Sequence, residues 1–102
     1  MKKVVIDGIT YIPEAQDSPI KIVILQRGWV MVGRFEREGS DCKLHDASVI
    51  RKWGTIKGLG EIAAGGPTDK TVLDKCNGLV EFDYLTVVAT ISCQEEKWQS
   101  TL

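Results

Sequence analysis

The chain has 102 residues, 43 % hydrophobic and 26 % charged, which suits one domain with a single modest core and leaves little material for a second. A formal net charge of -1 argues against a surface given over wholly to nucleic acid, while leaving room for a local basic patch. No apolar run approaches the roughly 20 residues that span a bilayer, and Met1-Lys2-Lys3 is followed only by Val-Val-Ile before Asp7-Gly8, so neither a membrane span nor a secretion signal is expected.

Val4-Val5-Ile6, Asp7-Gly8 and Ile9-Thr10-Tyr11-Ile12 predict a hairpin, because Asp-Gly accepts the positive φ of a type I′ turn. Pro13 ends it, and 14–19 reads as a short linker closed by Pro19. The hairpin is expected either at a sheet edge or as an arm swapped onto another protomer. Ile20–Leu25 is apolar and β-branched apart from Lys21, and Trp29–Glu36 alternates, so the two predict an antiparallel pair joined at Gln26-Arg27-Gly28.

After a turn at Glu38–Asp41, residues 42–50 read as mixed strand and loop, with Arg51, Lys52 and Trp53 completing the strand before Gly54 breaks it. Leu59, Ile62 and Ala63 have helical spacing, which predicts a helix near 59–64 stopped by Gly65-Gly66-Pro67. Residues 68–75 fit either a strand or a turn of helix. Asn77-Gly78 is a turn, followed by strands at 79–82 and 84–93, the latter with Leu85, Val87, Ala89 and Ile91 on one face. A polar tail, 94–102, carries Trp98 as a possible anchor. The expected architecture is α+β, mainly β: a curled or barrel-like antiparallel sheet of about six or seven short strands, with one short helix and an N-terminal hairpin. Its units are hairpin 1–13, linker 14–19, core 20–93 and tail 94–102.

Three cysteines, Cys42, Cys76 and Cys93, are an odd and sparse set, pointing to a reducing cytosol rather than a disulfide framework. Cys42 and His45 have a Cys-x-x-His spacing, but no second short-spaced ligand pair accompanies them, so no metal is expected. His45 is the one histidine, and neither a Gly-x-Ser-x-Gly elbow nor a distinctive carboxylate pair is present, so no catalytic residue is assigned and no cofactor is expected.

Charge is uneven. Residues 51–75 hold Arg51, Lys52, Lys57, Lys70 and Lys75 against Glu61, Asp69 and Asp74, whereas from 76 onward Lys97 alone opposes Glu81, Asp83, Glu95 and Glu96. The basic part contains Gly54, Gly58, Gly60, Gly65 and Gly66, which match neither a P-loop nor a dinucleotide fingerprint. Two readings are open there. In one, Trp53 fills the core, the glycines permit turns and the cations are solvated. In the other, Arg51, Lys52, Trp53, Lys57 and the helix start at Gly58, with Arg27 and Trp29, bind an anionic ligand by charge and ring stacking.

The segments Val4–Pro13, Ile22-Val23-Ile24 through Gly28 and Gly33, Ile50-Arg51-x-Trp53-Gly54, and Leu59-x-Glu61-Ile62-Ala63 with Gly66 together resemble a small domain of unknown function in tailed-phage and prophage proteins. The resemblance runs over residues 4–93. The chain departs from it at Gln26-Arg27-Gly28-Trp29 and at Thr55, where members carry a Tyr-Ser-Ala-Gly-like turn and an alanine. It implies an accessory protein in the cytoplasm of a bacterial host. The expected activity is non-enzymatic antagonism of antiviral defence by an oligomer that sequesters an anionic small molecule such as a cyclic nucleotide, a neighbouring subunit completing the pocket. The alternatives are anti-CRISPR-like occlusion of a host defence protein and a minor role in virion assembly.

Overall fold

The computed structural model describes residues 18–102 in full and, before them, the backbone of strands β1 (Val4–Ile6) and β2 (Ile9–Tyr11). These two pair antiparallel, with Val5 opposite Thr10. The expected Asp7-Gly8 turn, Pro13 and most of the 14–19 linker lie outside the described residues. The main sheet is built from β3 (Ile20–Leu25), β4 (Trp29–Glu38), β5 (Asp41–Lys52), β6 (Val72–Lys75), β7 (Val80–Asp83) and β8 (Val87–Ser92). All its pairings are antiparallel, in the order β6-β5-β4-β3-β8, with β7 also on β5. β6 and β7 share one edge of β5, against its C-terminal and N-terminal parts respectively.

The protein is therefore mainly β with one short helix, α1 (Leu59–Gly65), and a four-residue helical turn, α2 (Glu95–Trp98). Of the curled and barrel-like forms expected, the open one is found, since among the described residues β8 and the β6/β7 strands have no pairing that joins them. Register shifts interrupt β3/β8, β4/β5 and β5/β6. Such bulges bend a sheet and increase its twist without having to close it.

Other boundaries also moved. Residues 41–52 form one continuous strand rather than strand and loop, because both of its sides find partners. Residues 72–75 resolve as strand. Leu85 does not share a strand face with Ile91. It sits in a 3-10 turn, Tyr84–Thr86, capped where Asp83 Oδ1 accepts its N–H at 2.8 Å, and it is 82 % exposed. The register shift opposite Ile24/Leu25 leaves Val88 outside the paired positions, which breaks the alternation read from the sequence.

Two apolar clusters lie on the sheet. Ile20, Ile22, Val32 and Ile50 pack with Ile62 and Ala63 of α1 and with Cys93 and Trp98, while Val23, Met31, Leu44 and Ala47 gather Phe35, Val80 and Phe82. Fully burying an Ile or Leu side chain stabilises by roughly 1.5–3 kcal/mol, so these clusters dominate the favourable side of folding.

α1 is too short to persist by propensity and depends on this docking. Its end is satisfied by neighbouring chain: Ile62 O accepts from Gly66 N–H at 2.7 Å and Trp98 Nε1–H at 2.9 Å, and Ala63 O accepts from Gln94 N–H at 2.9 Å. Gly66, at φ 86°, permits that approach, since an added Cβ would stand 2.8 Å from Lys97 O. Trp98 and Leu102 thus anchor residues 94–102 on the core, while 95–97 and 99–101 stay exposed. Arg34 ties them further to the sheet, pairing with Glu95 at 3.5 Å and Asp46 at 3.6 Å.

Candidate functional site

Where β5 leaves the sheet, Gly54 takes φ 74° and its α-carbon meets the backbone of the 68–71 loop. A Cβ there would lie 2.5 Å from the Lys70 carbonyl carbon, so glycine is required for contact as well as conformation. Hydroxyls fasten the two segments. Thr71 Oγ1 donates to Trp53 O at 2.7 Å and accepts from Thr68 N–H at 2.9 Å, and Thr55 Oγ1 donates to Gly58 O at 2.8 Å. Lys70 N–H donates to Thr68 Oγ1 at 3.2 Å.

Between these segments and α1 lies an open groove of about 640 Å³, lined by Arg51, Lys52, Trp53 and Thr55 together with Glu61, Thr68 and Lys70. Ligand pockets run from about 300 to 1,000 Å³, so this one has room for a nucleotide-sized molecule. Trp53 is 42 % exposed and Ile56 fully so. The indole is a wall of the groove and does not fill the core, which settles the first of the two readings against Trp53 as a buried anchor. The buried tryptophan is Trp98.

The expected site residues divide. Arg51, Lys52 and Trp53 converge on the groove, although Arg51 Nε is ion-paired with Asp74 on β6, which occupies part of its charge. Lys57 and Gly58 are outside the lining, and Glu61 puts a carboxylate in the first turn of α1, where it opposes an incoming anion. Arg27 and Trp29 also fall outside it. Arg27 lies in the 3-10 turn between β3 and β4 at φ 68°, and Trp29, 56 % exposed, opens β4. Thr68 and Lys70 join the site unannounced by the sequence, since only the tertiary contact at Gly54 brings them to Trp53.

The histidine and cysteines are occupied separately. His45 Nε2 stands 2.8 Å from Glu36 Oε1 across β4/β5, and that hydrogen bond holds the Glu36 carboxyl below its ordinary range. Cys42 is buried, and burial raises its thiol pKa; Cys93, buried in the core beside α1, is pushed up to about 12 by desolvation. All three thiols are free, and among the described residues no group of three His, Cys, Asp or Glu side chains is placed to hold a metal. Among them, too, no helix is long and apolar enough to cross a membrane. No family model matches the chain, and no curated protein matches it.

Proposed function

We propose that the protein is a non-enzymatic binding domain whose groove captures a flat anionic small molecule, a cyclic nucleotide signal being the leading candidate. The observation that supports this reading is an exposed indole, Trp53, set among the cations Lys52 and Lys70 and the hydroxyls of Thr55 and Thr68, in a loop pair fixed by hydrogen bonds. Stacking of a base on an aromatic ring contributes roughly 1–3 kcal/mol and tolerates any base, and exposed lysines add a salt-dependent attraction.

With the phage and prophage resemblance, the reading becomes an accessory protein that antagonises a host antiviral defence by sequestering its signal in the bacterial cytoplasm. In that reading the open side of the groove is covered by a neighbouring subunit of a homo-oligomer. Isothermal titration against cyclic mono- and dinucleotides and their linear counterparts tests it. Saturable binding that weakens with salt is expected, and absence of heat with every member of the panel overturns it.

Occlusion of a host defence protein is favoured by a different observation. Asp41 faces Asp83 across β5/β7, making an acidic end to this pair of strands, with Glu81 two residues along opposite Lys43. Capture of one stoichiometric host protein, lost on Asp83→Lys, would support that mode; virion association predicts instead co-purification with particles.

A further inference from the structure

The two edges of the main sheet differ in chemistry. The β6/β7 edge carries Asp74, Lys75, Glu81 and Asp83, whereas β8 reads Val-Val-Ala-Thr-Ile-Ser, with no charge and no proline. Proteins guard open strand edges with lysine, proline or strong bulges, because an unpaired ladder invites another strand. β8 has one bulge, at Val88, which leaves that valine 65 % exposed.

Antiparallel alternation says which groups are open. Cys93 N–H donates to Ile20 O at 2.9 Å. In the register of β3 with β8, Ile91 and Ala89 therefore exchange hydrogen bonds with β3, and the main-chain groups of Thr90 and Ser92 face outward. Among the described residues, no strand pairs with that side.

We propose that the β1–β2 ribbon of the same chain completes the sheet there, with β1 lying antiparallel to β8. Three further observations converge on this occupant and this orientation. First, β1 and β2 are three residues each, and among the described residues they pair only with one another. A two-stranded ribbon of that size is marginal alone.

Second, the tether has the right origin and length. β3 begins at Ile20, opposite Cys93 and so beside the C-terminal end of β8. From Tyr11 to Ile20 the chain can reach up to about 30 Å, against about 20 Å for the whole of β8. With β1 antiparallel to β8, β2 runs parallel to it and ends where the tether is shortest.

Third, a second copy of β8 is the poorer partner, because antiparallel self-pairing brings Asp83 of one strand toward Glu95 and Glu96 of the other.

Amide hydrogen exchange on the full chain tests the assignment, read residue by residue alongside the solution mass. The outward amides of Thr90 and Ser92 are expected to be protected to a similar degree as Ile91 in a form whose Thr90 protection does not change with protein concentration. Val5→Pro, which removes a strand donor from β1, is expected to speed exchange at Thr90 and Ser92 at least about tenfold while Ile91 and the core around Trp98 stay protected. Unprotected Thr90 in the parent chain overturns the proposal. So does protection that Val5→Pro leaves intact, which would assign the edge to another strand. Protection that rises with concentration alongside a doubled mass overturns the own-chain occupant in favour of a hairpin exchanged between copies. Failure of nucleotide titration leaves this test untouched, since the β8 edge shares no residue with the groove.

Discussion

Trp98→Ala is the sharpest test of how the fold is held together. The side chain is fully buried, packs in the cluster of Ile20, Ile22 and Ile62, and donates to Ile62 O. Truncating a buried tryptophan to alanine costs about 3–5 kcal/mol in transfer and cavity terms. The lost hydrogen bond adds little beyond that, because Ile62 O still accepts from Gly66 N–H. A domain of this size has a total stability of about 5–15 kcal/mol, so the variant loses about a fifth of it or more. With a urea m-value of about 2 kcal/mol/M, the midpoint falls by about 2 M. Trp98→Phe, which keeps an aromatic ring and gives up the donor, is expected to lose about 1–2 kcal/mol. Equilibrium urea unfolding followed by far-UV circular dichroism reads both. A Trp98→Ala midpoint within about 0.3 M of the parent refutes the anchoring of residues 94–102 by a buried Trp98.

Other outcomes follow from the same contacts. Lys52→Ala with Lys70→Ala is expected to change stability by less than about 0.5 kcal/mol, both side chains being exposed, while weakening nucleotide binding at least about tenfold in titration. Gly54→Ala is expected to lower the thermal midpoint by several degrees, from a strained φ together with the clash on Lys70, and to weaken binding in parallel because the groove loses its shape. Cys93 is expected to resist thiol reagents at pH 8 until the protein unfolds. Its raised pKa favours the folded state fully below the ordinary thiol value. That contribution is lost as pH rises from about 9 toward 12, which alkaline urea titration of the parent against Cys93→Ala can read.

Much of the fold was legible because local signals and packing agreed. Ile20–Leu25 and Trp29–Glu36 were readable as a pair since their apolar runs flank Arg27-Gly28, where two successive residues take positive φ. Val72–Lys75 was ambiguous because four residues carry no decisive period; pairing to β5 decides it. Leu85 looked like part of a strand, although Asp83 and Thr86 around it are the side chains that close a 3-10 turn.

Trp53 and Trp98 take their places for a tertiary reason. Trp53 follows a strand with an alternating buried face but leaves the sheet at Gly54, while Trp98 sits in polar sequence yet meets the end of α1. Half of the groove was readable in the contiguous Arg51-Lys52-Trp53. Thr68 and Lys70 were not, because nothing local marks a loop that will pack on Gly54.

Amide and indole chemical-shift mapping of the full chain during titration with cyclic mono- and dinucleotides tests the binding site most directly. The groove reading predicts that at least one of them shifts the Trp53 indole N–H most strongly, with the remaining changes confined to the 51–56 and 68–70 segments and Glu61. Saturable shifts centred elsewhere, or no shift with any of them, contradict it.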